Sequence, residues 1–88
     1  MLTDNAGRRN KSRMRIGMKQ TLQAVEQGVA KEVFVAQDAD PRMVSRVVQA
    51  CGQRGVEVTY VDTMRNLGIR CGIDVGAAAA AVVDDASD

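Results

Sequence analysis

Lys19, Gln20, Gln23 and Gln27 are a cation and three amides at spacings of one, three and four. On a helix that spacing gathers them on one side, opposite Met18, Leu22, Val25 and Val29. Amide and ammonium groups bond to phosphate oxygens and to the edges of bases. Gly17 stands just before this segment, so its first turn carries backbone N–H groups with no partner inside the helix, and those favour an anion. Arg13, Arg15 and Lys19 surround the same point, which places cations and helix dipole together. The chemistry implied is recognition of a nucleic acid, RNA ahead of DNA. Two other readings remain open: a plain solvated helix surface, and a Lys19/Gln20/Gln23 face on which a partner protein docks in an interaction or assembly module.

The remaining chemistry-bearing residues are fewer. Asp38 and Asp40 follow a strand-like run and could hold Mg²⁺, but Asp40 precedes Pro41 as a helix N-cap does, and capping accounts for it. With Lys19 the two acids could imitate a phosphotransfer centre, yet no nucleophile and base occur together, so an enzyme is the weakest reading. Gly17 lacks the companion glycines of a dinucleotide fingerprint or a P-loop. The chain has no histidine, and Cys51 and Cys71 lie twenty apart without a CxxC, which excludes a zinc site of the usual spacing and histidine-based catalysis. Both cysteines sit in apolar helical contexts that suit small reduced core thiols, with one isolated disulfide as the alternative. No metal or other cofactor is expected.

The elements that must position these groups follow from periodicity. Arg13 to Ile16 is a short edge strand, and the first helix runs from Gly17 to Gln27 with Gly28 as its C-terminal cap. Glu32 to Gln37 is a consecutive apolar run of strand length, central and covered on both faces. A helix from Pro41 to about Gln53 buries Val44, Val47, Val48 and Cys51, and Gly52 and Gly55 end it. Val56 to Val61 is the next strand, and Asp62 or Thr63 caps a helix from Met64 to Arg70 that Gly72 terminates. Ile73 to Gly76 is a loop. Ala77 to Val83 is assigned to a buried strand although its five alanines favour helix, because the segment is too short to be helical alone. The strand and helix alternation by itself predicts a largely parallel sheet.

Eighty-eight residues make one small domain, and with one Phe, one Tyr and no Trp the core must be aliphatic. An aromatic-lined pocket for a small-molecule substrate is not expected, nor is a sheet that stacks bases on several aromatics. The total charge of +1 conceals an asymmetry: residues 1–31 hold seven cations against Asp4 and Glu26, a net of +5, which leaves −4 for the remainder. No run of apolar residues approaches a membrane span, so a cytoplasmic protein without a membrane partner is expected. The domain plan is a flexible basic segment over 1–12, a folded RNA-binding domain over 13–83 and an acidic tail over 84–88.

Three stretches carry a resemblance. Gly17-Met18-Lys19-Gln20-Thr21, Ala36-Gln37-Asp38-Ala39-Asp40-Pro41 and Leu67-Gly68-Ile69-Arg70-Cys71-Gly72-Ile73, followed by the alanine-rich strand, resemble the ribosomal "L-seven-Ae" protein family, in particular its small bacterial kink-turn-binding members. Order and spacing are kept throughout 13–83. The resemblance implies a three-layer α/β/α sandwich around a mixed four-stranded sheet, and a non-enzymatic, ribosome-associated function in binding kink-turn RNA. That RNA is a sharply bent helix–bulge–helix with sheared G·A pairs. A monomer is the simplest expectation.

Carried onto this sequence, the resemblance assigns Gly17 and Met18 to the turn where backbone approaches RNA. Lys19 and Gln20 fall where archaeal and eukaryotic members have Asn and Glu that read the G·A pairs, and where the bacterial branch has Lys and Gln. Gln23 departs from the usual Lys, which weakens one contact. Ile73, Asp74 and Val75 match the loop that packs on bulge bases, with Val75 replacing a position basic in some eukaryotic members. Asp40 and Val44 match residues lining a flipped-nucleotide pocket, and Arg65 and Arg70 are phosphate neighbours.

Overall fold

Seven elements alternate along the chain in the computed structural model, which describes residues 13–83. They are β1 (Arg13–Ile16), α1 (Met18–Glu26), β2 (Ala30–Ala36), α2 (Pro41–Arg54), β3 (Glu57–Val61), α3 (Met64–Cys71) and β4 (Ala79–Val83). The expectations for 1–12 and 84–88 lie outside the described residues.

The strands form one sheet in the order β1-β4-β2-β3. β2 and β3 are parallel, Val33 opposite Val58 and Val35 opposite Tyr60, as a crossover through α2 requires. β4 is antiparallel to both neighbours, Ile16 facing Ala80 on one side and Phe34 facing Ala80 on the other. The sheet is therefore mixed, which corrects the largely parallel sheet that the rhythm of elements alone implies. That rhythm reports only that strands and helices alternate; it does not register that β4 enters between β1 and β2 running the other way.

Two apolar clusters lie on opposite faces of this sheet. Beneath α1 and α2, Ala24, Val25, Val47 and Cys51 meet Val33, Val35, Ala79, Ala81 and Val83. Beneath α3, Leu67 meets Ala36, Val61, Ala77 and Ala80, with Phe34, Ile16 and Cys71 at the margin. The architecture is the α/β/α sandwich. Cys51 is buried, Cys71 is half-buried, and both are free thiols.

β4 is the element where local preference and fold disagree most. Ala79, Ala80 and Ala81 are fully buried between two hydrogen-bonded neighbours, with Ala79 and Ala81 under the α1 side and Ala80 under α3. Small side chains let helix and sheet approach closely, and pairing on both edges outweighs a helix propensity that five residues cannot exploit. Ala77 and Ala78 precede the strand and do not belong to it. Two smaller corrections follow from packing. The buried face of α1 is Thr21, Ala24 and Val25, with Met18 and Leu22 only half-buried, so the apolar stripe turns toward β4. Gly52 lies inside α2, and the helix continues to Arg54 before Gly55 caps it in the left-handed conformation.

Candidate functional site

Antiparallel β1 and β4 put the end of β1 beside the start of β4, and the parallel pair ends at the same level, Ala36 opposite Val61. The Gly17 N–H donates to the Ala79 carbonyl at 2.8 Å, the Ala36 N–H to Ala78 at 2.9 Å and the Gln37 N–H to Val61 at 2.8 Å. These bonds tie four segments into one rim: the Gly17 turn, residues 37–40, residues 62–63 and the loop from Gly72 to Ala78. All three helices start from this rim. Gly17, Met18, Lys19, Gln20, Asp40 and Val44 consequently lie on or next to a single end of the sheet, and the loop carrying Ile73, Asp74 and Val75 runs from the end of α3 back to it. Gln23 is exposed one turn further along α1, and Arg70 is exposed near the end of α3.

The three helix starts differ in how their free N–H groups are used. At α2, the Asp40 carboxylate accepts from the Arg42 N–H at 2.9 Å and lies 3.4 Å from the Arg42 guanidinium, so the capping role expected of Asp40 is met. At α3, Thr63 accepts from the Asn66 N–H at 3.0 Å, and the Asp38 carboxylate, reaching across from the preceding loop, accepts from the Met64 N–H at 2.8 Å. α1 has Gly17 as its N-cap and no side-chain cap. Gly17 adopts φ +112°, a conformation that side chains resist, and a Cβ there would meet nothing within 4 Å. The turn is thus open in front and shaped by glycine.

Charge is a feature the three starts share. A helix dipole favours acids in the first turn and disfavours cations there. None of the three helices has an acid in its first turn, and each has a cation as its second residue: Lys19, Arg42 and Arg65, all exposed. Against the helix dipole that arrangement is unfavourable, apart from the pairing of Arg42 with Asp40 at 3.4 Å, and it gathers positive charge at the rim.

On α3, the loop from Ile73 to Gly76 is held by backbone contacts. The Ile73 N–H donates to Gly68 and the Ala77 N–H to Met64, both at 3.0 Å. A Cβ on Gly68 would run into the Val75 carbonyl oxygen, and one on Gly76 would lie 3.2 Å from the Met64 Cβ. Ile73 is half-buried, while Val75 is 69% exposed. Val44 is half-buried and packs against both apolar clusters, so it joins α2 to the two sides of the sheet. The Arg70 guanidinium stacks 5.4 Å from the centre of the Phe34 ring, which orients a cation at the α3 side of the sheet.

The family model for ribosomal proteins L7Ae/L30e/S12e/Gadd45 matches residues 4–88. The chain belongs to this L7Ae family. Its relatives include an RNA-binding protein of Caldanaerobacter subterraneus, 47% identical over 68 residues that cover 77% of this chain and 83% of that protein. The large ribosomal subunit protein eL8 of Halobacterium salinarum is 43% identical over 75 residues, covering 82% of this chain and 62% of that one. Among solved structures, a Giardia lamblia 15.5kD RNA binding protein superposes with a TM-score of 0.76 at 29% identity, covering 81% of this chain and 60% of the Giardia chain. A Bacillus halodurans protein of unknown function shares the fold, with a TM-score of 0.74, 24% identity and coverage of 85% and 74%.

Three features of this L7Ae-family rim are not visible in residue types. Asp38 reads as a turn residue or half of a metal pair, and only the folded chain brings it to the α3 start, 26 positions away. Among the described residues no cluster of three or more metal-ligating side chains occurs. Gly68 reads as half of a GxxxG without meaning in a soluble chain, yet it is the surface on which the Val75 backbone rests. Tyr60, alternating with Val58 along β3, is 51% exposed and walls a shallow groove with Gln37, Pro41 and Val44. No helix among the described residues is long and apolar enough to cross a membrane.

Proposed function

We propose that this chain is a non-enzymatic RNA-binding protein that recognises and stabilises kink-turn RNA in association with the ribosome. The observation that carries it is the open start of α1. An uncapped first turn, with Lys19 and Gln20 exposed on it, lies at the rim where all three helices present cations. Free N–H groups and Lys19 attract phosphate, and the Gln20 amide supplies both a donor and an acceptor for a base edge.

A kink-turn suits this rim because its sharp bend widens a groove that regular A-form RNA keeps too narrow for a helix end. Gly17, lacking a side chain and facing open space, lets the backbone come close. Val75 offers an exposed apolar surface for an unstacked bulge base, and Asp40 with Val44 lines the neighbouring part of the rim. Arg65 and Arg70 are exposed cations available to flanking phosphates, and Gln23 offers an uncharged contact where a cation would have added attraction. The protein acts as a monomer without a cofactor. Its bacterial relatives of similar length are RNA-binding proteins, and the match to a large-subunit protein supports a ribosomal target.

Titration with a kink-turn oligonucleotide, and with the same RNA whose G·A pairs are replaced, tests this. Tighter binding to the intact motif is expected, by tenfold or more on the order of one or two lost base-edge contacts. Equal affinities would reduce the activity to phosphate attraction. Binding to a cell-extract protein that survives nuclease treatment, without kink-turn preference, would move the Lys19/Gln20/Gln23 face to protein docking.

A further inference from the structure

Asp38 is linked to the 73–76 region through Met64, and Gly68 touches that region directly. The Asp38 carboxylate accepts the Met64 N–H at 2.8 Å, which fixes the first residue of α3 to the β2–α2 loop. Met64 in turn accepts the Ala77 N–H at 3.0 Å through its carbonyl, and its Cβ, C and O atoms lie within 3.3 Å of where a Cβ on Gly76 would be. One helical turn later, Gly68 leaves room for the Val75 carbonyl, and it accepts the Ile73 N–H at 3.0 Å. The loop is thereby gripped at both ends and in the middle by one face of α3. None of those grips uses a side chain of residues 73–76.

We propose that Asp38 and Gly68 are positioning residues for the Val75 loop: Asp38 sets the start of α3, and α3, through Met64 and Gly68, imposes the shape in which Val75 is presented to RNA. The RNA half of this statement rests on the kink-turn reading; the positioning half does not. Selectivity at the bulge then depends on an acceptor oxygen in a different loop, two residues before Asp40, so the two loops of the rim are mechanically one unit. A fixed loop also limits the ordering cost when a base packs on Val75, which is why a shape set in advance raises affinity.

The test uses the full chain with Asp38→Ala, Asp38→Asn and Gly68→Ala. In the free protein, amide hydrogen exchange at Met64 and Ala77 is expected to accelerate about tenfold in Asp38→Ala, as for loss of one local constraint, with Val33 and Val35 unchanged. Asp38→Asn keeps an acceptor oxygen and should restore slow exchange at Ala77. Unaltered Ala77 exchange in Asp38→Ala overturns the positioning claim without touching RNA. For the RNA half, the probe is a kink-turn with its bulge nucleotide intact or abasic. Wild type should lose about tenfold on the abasic RNA, the size of one stacked base, and Asp38→Ala should lose most of that difference while keeping its preference for intact G·A pairs. Equal weakening of Asp38→Ala on intact and abasic RNA would overturn the RNA half. If Gly68→Ala fails to fold, the Asp38 pair alone decides. Wild type that prefers no kink-turn would refute the functional reading, while the exchange result stands independently.

Discussion

The first turn of α1 and the loop over α3 occupy the same rim and are built in opposite ways. At α1 the backbone is regular, the N-terminus is uncapped, and the polar side chains of Lys19 and Gln20 project into open space. At 73–76 the backbone is irregular and closely packed against α3, and the apolar Val75 is exposed on it. On the proposed RNA-binding reading, one region would read by what its side chains are and the other by where its backbone is held. Substitutions should therefore separate: changes to side chains at α1 alter binding and spare the fold, whereas changes to the glycine contacts under the loop alter the fold first.

The largest effect expected is at the loop. Gly68→Ala forces a methyl group against the Val75 carbonyl, so a loss of about 3 kcal/mol is expected from overpacking, read as a lower urea midpoint. Next comes binding at α1. Lys19→Ala and Gln20→Ala should each weaken the kink-turn complex by about 1–3 kcal/mol while unfolding midpoints stay within about 0.5 kcal/mol of wild type. A fold effect as large as the binding effect would erase the contrast. Gly17→Ala lies between the two regions in kind: its Cβ meets nothing, but φ +112° costs a side chain about 1–3 kcal/mol, so stability and binding should fall together.

Smaller changes sharpen the comparison. Val75→Lys adds a cation on a backbone that does not move, so stability should be unchanged within about 0.5 kcal/mol and the salt dependence of binding should steepen by about one phosphate contact. The least effect concerns Cys51, beneath α1, where burial raises the thiol pKa. The folded chain then keeps its proton in the pH range where an unfolded thiol has lost it. That contribution is fully present below the ordinary thiol value and declines as pH rises above it. Chemical unfolding of wild type and Cys51→Ala at neutral and alkaline pH should show the stability difference narrowing on the alkaline side.

Much of this molecule is legible in one dimension, for reasons that particular residues make plain. The edge strand, the Asp40-Pro41 start of α2 and the strand of consecutive apolar residues at β2 follow from local rules of capping and periodicity. The polar face of α1 does too, because Lys19, Gln20, Gln23 and Gln27 are all exposed. β4 is legible only against its own propensity, since burial between two strands decides it. The direction of β4 and the roles of Asp38 and Gly68 are not local at all. Asp38 meets Met64 across 26 positions, and Gly68 matters because of a carbonyl seven residues later in an irregular loop. Spacing rules cover repeats of two and of three or four residues, and such contacts obey neither.

The central claim is that the α1 start reads the G·A pairs of a kink-turn. A double-mutant cycle between Gln20→Ala and replacement of those pairs measures it most directly, with affinities taken at one fixed salt concentration. A coupling of about 1 kcal/mol or more is predicted, because each change should remove the same contact. Strictly additive losses, Gln20→Ala costing as much on the altered RNA as on the intact motif, would contradict it.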